Sequence, residues 1–382
     1  MIYSEDEKAL IFLSHFDFMT SAKMEKILSY LSNPKDIFTL SSDEFFKFKD
    51  ELNKNYEIFV DGITNYDESK FFNTLETKGI RCLTIISENY PKRLLGLKNP
   101  PYVLYYCGNI DLINTNGLAI VGTRSPTNYG KTITENFAKT LAENGITIIS
   151  GLATGVDKIA HESALEVGGN TIAVLGGGFD HMFPAMNINL AREIAKKGLV
   201  LTEYYFTIRP TKYSFPTRNR IIAGLAKAVL ITEASTKSGS LYTKDYADEL
   251  GLSTYAIPGN ITSEKSEATN SLIKTGVAYP ATRPEDVLLE YGIRPKKENK
   301  KKSKKDIQLT VEESVVLELL KDGERDFEYL LEKTNLSVQT LNYNLTTMEI
   351  RGIIKKLAGN TYILAYWPKL NDIIYTKMIN WW

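Results

Sequence analysis

Between Gly117 and Gly276 the chain repeats one event: a short apolar run stops at glycine or another small residue, and a helical pattern follows. The runs are Leu118-Ala119-Ile120-Val121-Gly122-Thr123-Arg124-Ser125, Ile148-Ile149-Ser150-Gly151, Ala173-Val174-Leu175-Gly176-Gly177-Gly178 and Val229-Leu230-Ile231-Thr232-Glu233. Continuous apolar runs suit strands buried on both faces. The pattern predicts strands near 118–122, 146–150, 171–176, 199–203, 228–232 and 254–257. Helices are predicted near 128–144, 155–167, 187–197, 218–226 and 239–250. This alternation gives an α/β class with a doubly wound parallel sheet. Ligands of such sheets bind beyond the carboxyl ends of the strands, where the small-residue loops fall here. Backbone N–H groups and helix N-termini gathered there would bind anions, phosphate above all.

The flanks read differently. Residues 1 to about 66 carry helical periodicity, with short helices predicted at 6–17, 21–32 and 43–50, separated by Asn33-Pro34 and Ser41-Ser42. Residues 67–112 lead into the core through turn signals at Tyr90-Pro91 and a short strand within Asn99-Pro100-Pro101-Tyr102-Val103-Leu104-Tyr105. Residues 294–305 hold seven lysines and no aliphatic or aromatic side chain, which makes them a solvated linker, either a spacer or a weak phosphate-backbone contact. From 306 to 366 three helices, at 310–321, 326–333 and 337–350, precede two strands that turn at Gly359-Asn360, the order of a winged helix. A tail over 367–382 contains all three tryptophans.

A chain of 382 residues predicts two or three domains. No apolar run approaches membrane-spanning length, and the first residues lack a signal-peptide pattern. Two cysteines, Cys82 and Cys107, fit a reducing cytoplasm and exclude a disulfide framework or a cysteine-based zinc site. Formal net charge is zero, so a nucleic-acid reading rests on where charge sits.

At the first strand end, Gly122 permits close backbone approach, Arg124 offers a planar cation, and Ser125 is placed to cap the helix or bond a phosphate. Gly130-Lys131-Thr132 is not a Walker A loop, because the glycine needed five positions earlier is Ser125. No G-x-G-x-x-G follows the first strand either. At the second strand end, Asp157 and His161 share a helix face four residues apart. No nucleophile or orienting group completes a catalytic set, so the two read as a hydrogen-bonded pair that shapes the loop.

Residues 206–244 hold Arg209, Lys212, Arg218, Arg220, Lys227, Lys237 and Lys244 against one acid, Glu233, a local excess of six positive charges. Tyr205, Phe206, Tyr213, Phe215 and Tyr242 interleave with them. Cations for the backbone and aromatics for base faces suit single-stranded nucleic acid. The winged-helix segment opposes a DNA role: 306–365 holds ten acids and six bases, and 337–349 has no lysine or arginine. Phosphate contacts dominate DNA affinity, so this module is expected to touch protein.

Across about 90–280 the chain resembles the bacterial DNA-processing protein A (DprA/Smf) family. The resemblance rests on several motifs in order. They are Tyr90-Pro91 with Pro100-Pro101, Gly122-Thr123-Arg124, the 150–157 segment with Ala160-His161, Ala173–Asp180 with Phe183-Pro184 and Asn187, Phe215–Leu225, Ser238-Gly239-Ser240, and Pro258-Gly259. It implies an extended Rossmann-like sheet, an N-terminal helical domain of the SAM or helix-hairpin-helix type, and a C-terminal winged helix. It implies a cytoplasmic, non-enzymatic, cofactor-free protein that binds incoming single-stranded DNA in natural transformation, helps load RecA recombinase, and forms a homodimer through the sheet domain, around Leu225 and Ile273. The implied DNA site comprises Gly122, Thr123, Arg124, Ser125, Gly151, Lys212, Arg218, Asn219, Arg220, Lys237, Ser238, Gly239 and Ser240. The chain departs from the family where Ala185-Met186 replaces a frequent lysine, and where Glu267-Ala268-Thr269 lacks the usual glycine before Asn270. A related Rossmann-like family hydrolyses nucleoside monophosphates, but its Pro-Gly-Gly-x-Gly-Thr loop and catalytic glutamate are not matched by 233–240.

Overall fold

The computed structural model describes residues 3–293 and 309–365. The lysine-rich linker and the tryptophan tail fall outside the described residues. The chain divides into two compact units, Met1–Pro295 and Lys296–Trp382.

The first unit is built on a nine-stranded sheet. Its strands are β1 (Arg81–Thr84), β2 (Val103–Gly108), β3 (Gly117–Val121), β4 (Thr147–Ser150), β5 (Thr171–Val174), β6 (Leu199–Thr202), β7 (Ala228–Ile231), β8 (Ser253–Ala256) and β9 (Tyr279–Pro280). Their order is β1-β2-β6-β5-β4-β3-β7-β8-β9. The stretch from β6 to β9 is parallel throughout. The six predicted strands are β3 to β8, each within two residues of expectation at its start. The sheet is mixed rather than purely parallel, because β1 and β2 add an antiparallel edge beside β6.

Alternation along each strand explains the layering. Ala119 and Val121 of β3, with Val229 and Ile231 of β7, join a core shared with Leu94, Ile221, Ile222 and Leu225. Leu118 and Ile120, with Ala228 and Leu230, pack the opposite core against Phe137, Leu141 and Val156. Both faces are therefore covered, and each fully buried aliphatic side chain contributes about 1.5–3 kcal/mol. Order runs from β3 through β4, β5 and β6 in one direction and through β7 and β8 in the other. The topological switch point thus lies between β3 and β7.

The helix predicted at 218–226 starts earlier and spans Ser214–Leu225. Pro216 falls in its first turn, where a missing N–H leaves no helical bond unmade. The N-terminal helices are more numerous than predicted, and Tyr56–Thr64 and Glu68–Thr77 were not anticipated. The boundary expected near residue 66 falls inside the first unit. Phe12, Phe48 and Phe59 share one core with Tyr105 of β2 and with Tyr205 and Phe206.

The second unit has helices Val311–Leu320, Phe327–Thr334 and Val338–Ile350 and three short strands, Arg325–Asp326 (β10), Ile354–Leu357 (β11) and Thr361–Leu364 (β12). Strand β12 lies between β10 and β11, antiparallel to both. Its core holds Val316, Leu320, Leu330, Leu341, Leu345, Met348, Ile354 and Tyr362. Buried Glu313 pairs with Arg351 at 2.8 Å.

Candidate nucleic-acid interface

A cavity of about 660 Å³ opens at the switch point. Its walls are the loop after β3, the helix Ser214–Leu225 and the 235–243 segment that starts the helix Leu241–Glu249. Nine of the expected site residues line it: Gly122, Thr123, Arg124, Lys212, Arg218, Asn219, Ser238, Gly239 and Ser240.

The anion-binding chemistry differs from the expectation. The amides at two strand ends are already occupied by carboxylates of the chain itself. Gly151 and Ala153 donate N–H bonds to Asp157 at 3.2 and 3.3 Å. The N–H of Thr127 donates to Glu233 at 2.8 Å and its hydroxyl does so at 2.5 Å. Thr127, rather than Ser125, caps the helix Asn128–Glu143. The third glycine loop is covered: a β-carbon on Gly178 would lie 2.1 Å from the Tyr205 carbonyl oxygen. Charge for a ligand therefore comes from side chains.

Arg124 is exposed, with its guanidinium 5.8 Å from the centre of the Phe215 ring. Phe215 meets the exposed ring of Phe183 at 5.7 Å. Lys212 is exposed, 4.9 Å from the ring centre of Tyr213, itself 69% exposed. Tyr242 is half exposed. Tyr205 and Phe206, counted with the interface aromatics from sequence, are core residues instead. Their position on the β6 side of the fold hands them to the N-terminal helices.

Three of the seven clustered cations serve the fold. Arg218 is only 4% exposed; its guanidinium donates to the carbonyls of Gly151, at 2.7 Å, and Val174. Gly151 has no side chain for that reason, since a β-carbon would lie 2.5 Å from the guanidinium. Burial lowers Arg218 to about 10, Asp157 opposes that shift, and the group remains a cation at neutral pH. Burial likewise raises Asp157, against the pull of Arg218. Arg220 turns to the other side of its helix and forms a buried ion pair with Glu203. Lys244 pairs with Asp248 at 2.7 Å. Both acids lie just outside the 206–244 window and were invisible to a local charge count.

Asp157 and His161 do not bond each other. Asp157 holds the 151–153 amides, while Nδ1 of His161 sits 2.7 Å from the Thr171 hydroxyl, which donates to the Ile148 carbonyl. Burial, helped by Arg218, lowers His161 to about 3. Asn219 ties two walls together: its amide donates to the Gly239 carbonyl at 3.1 Å and its oxygen accepts from Arg218 at 3.2 Å. Lys237 is exposed beside this loop but is not part of the cavity wall. Ser125 lies at the rim, bonded to Lys265 at 3.3 Å. Lys265 and Phe183 were missed as site residues. Phe183 was visible within a motif, whereas Lys265 is 140 positions from Ser125 and carries no local signal.

The sequence model of the family described as DNA recombination-mediator protein A matches residues 81–292, more than half of the chain. The chain belongs to this family. Its match covers β1 to β9 and every wall of the cavity. Protein Smf of Synechocystis is 39% identical over 227 residues, which are 58% of this chain and 57% of that protein. The chain thus spans less than two thirds of that relative's length. DNA processing protein DprA of Streptococcus pneumoniae is 38% identical over 238 residues, 62% of this chain and 83% of that protein. The solved structure of the pneumococcal protein superposes with a TM-score of 0.64 at 35% identity, covering 76% of this chain and 99% of that one. The solved family member from Helicobacter pylori, described for its single-stranded DNA binding mode, gives 0.51 at 36% identity and covers 56% of this chain and 95% of that one. Among the described residues no helix is long and apolar enough to cross a membrane.

Proposed function

We propose that this chain binds single-stranded DNA, with little base preference, in the cavity at the switch point. The observation that carries the reading is the pairing of exposed cations with accessible rings on one rim: Arg124 beside half-buried Phe215 and exposed Phe183, and Lys212 beside exposed Tyr213. Phosphates pair with the cations while bases lie on the rings. The Helicobacter relative, described as a single-stranded DNA binder, supports the same reading. Duplex DNA suits the cavity less, because its bases are stacked inside and cannot reach a ring.

The proposal extends to a cytoplasmic role in DNA uptake and recombination. There the bound strand passes to RecA recombinase, and two copies of the chain act together as a homodimer. The apolar surface expected for such a dimer is not Leu225, which is 2% exposed and belongs to the core. Ile273 is partly buried on the helix Glu267–Lys274. The second unit is proposed to be a winged helix that binds protein. Its helix Val338–Ile350 carries Glu349 as its one charge and shows Tyr343 and Ile350 to solvent. We read the chain as a binding protein rather than an enzyme. Glu233, the acid nearest the place of the hydrolase glutamate, is buried and engaged with Thr127.

A mobility-shift comparison of single-stranded and duplex oligonucleotides of equal length tests the proposal. A clear preference for the single strand supports it. Equal or tighter binding to the duplex removes it.

A further inference from the structure

The cavity does not end at Arg124. Beyond it, a segment far away in sequence brings a further cation to the same rim. The Nζ of Lys265 lies 3.3 Å from the hydroxyl oxygen of Ser125, and among the described residues no carboxylate is within ion-pair distance of it. Its backbone is fixed independently of its side chain. The Lys265 carbonyl accepts from Ala234 N–H at 2.7 Å, and Ala268 N–H donates back to the Ala234 carbonyl at 3.1 Å. The following residue, Ser266, is buried and packs on Gly259, where a β-carbon would come within 2.1 Å of its hydroxyl. The same loop accepts Tyr129: its hydroxyl donates to the Pro258 carbonyl at 2.7 Å, while the side chain stays 43% exposed. One chain of contacts therefore joins Ser125, Lys265, Ser266, Gly259, Pro258 and Tyr129 outside the cavity.

We propose that Lys265 and Tyr129 form a second nucleotide subsite, which receives the strand as it leaves the cavity over Ser125. Lys265 binds a phosphate and Tyr129 offers its ring to the adjoining base, the same division of labour as in the cavity. The hydroxyl bond to Pro258 holds the ring in place, so it binds without first being ordered. The inference rests on the proposed use of the cavity and lengthens the path by a small number of nucleotides.

Fluorescence anisotropy with labelled oligothymidylates of increasing length tests it on the full chain, comparing wild type, Lys265→Ala, Tyr129→Phe and Arg124→Ala. Lys265→Ala keeps the backbone bonds and removes only the charge. It is expected to leave the shortest bound oligonucleotides unaffected and to weaken longer ones by about tenfold. It should also lower the salt slope for long strands by about 0.7, the value for one phosphate contact on a single strand. Tyr129→Phe keeps the ring but loses the bond to the Pro258 carbonyl that holds it, so it should weaken long strands by less than Lys265→Ala and leave the shortest unaffected. If Arg124→Ala weakens all lengths and Lys265→Ala weakens none, the subsite is wrong and the cavity reading stands. If Lys265→Ala weakens long strands and Arg124→Ala has no effect, the cavity reading is wrong, and Lys265 binds DNA on a path other than the one proposed. Unchanged binding in both variants overturns both.

Discussion

Two arginines line the same cavity and should behave in opposite ways when removed. Arg124 is exposed and leans on Phe215, so Arg124→Ala should cost about 1–3 kcal/mol of single-stranded DNA affinity and leave the melting temperature unchanged. Arg218 is buried, with two backbone carbonyls and the Asp157 carboxylate depending on it. Arg218→Ala leaves those groups uncompensated, and destabilisation of about 3–5 kcal/mol is expected in chemical denaturation. Nothing local in the sequence separated the two. Each follows a strand or opens a helix within a polar motif, and only the position of helix Ser214–Leu225 under the sheet's end sends Arg218 inward. His161 offers a test by pH. Its folded value is depressed to about 3, below the ordinary 6.5, so it is neutral in the fold while the unfolded chain takes up a proton below pH 6.5. Its stabilising contribution is complete above pH 6.5 and is lost as pH falls toward 3, at up to about 1.4 kcal/mol per pH unit. Denaturation of His161→Gln over that window should show a shallower loss of stability than wild type. An equal or steeper loss would mean that another group controls the acid limb.

At the scale of elements, apolar runs bounded by small or polar residues located β3 to β8 well, because a strand buried on both faces leaves a continuous signature. The edge strands and N-terminal helices were harder. Edge strand β1 is four residues long and pairs with β2 alone, and the N-terminal helices are short and bury aromatics in a core they share with Tyr105. The start of helix Asn128–Glu143 shows what composition cannot reveal. Glu233 looked like the lone acid of a basic patch, yet it is the group that fixes this helix start from 106 residues away. Gly130 belongs to the same arrangement. Alanine is the better helix former by about 1 kcal/mol, but a β-carbon at 130 would lie 2.1 Å from the Glu233 carboxylate. Moving that carboxylate breaks both bonds to Thr127. Gly130→Ala should therefore lower the melting temperature, and a rise would show that the helix start accommodates the methyl group.

At the scale of the whole molecule, the cavity, its rim and the proposed subsite all belong to the first compact unit. The second unit carries ten acids against six bases over 306–365. Deleting residues 306–382 should leave single-stranded DNA affinity within about twofold, since phosphate contacts supply most of such affinity. A large loss on titration would give the second unit a direct place on the DNA. The loops that wall the cavity were legible in the sequence as small-residue strand ends, whereas the strand order that puts a switch point between β3 and β7 was not. The chemistry of the site was legible only in part: Asp157 and Glu233 occupy amides that seemed open, and Glu203 and Asp248 neutralise cations that seemed free. The central claim is that the remaining exposed cations and rings select an unpaired strand. Equilibrium titration of single-stranded and duplex oligonucleotides of equal length, each over a few-fold range of salt, tests this most directly. The predicted result is tighter binding of the single strand, weakening about tenfold or more across the salt range. Equal or tighter binding of the duplex, or single-strand binding indifferent to salt, would contradict it.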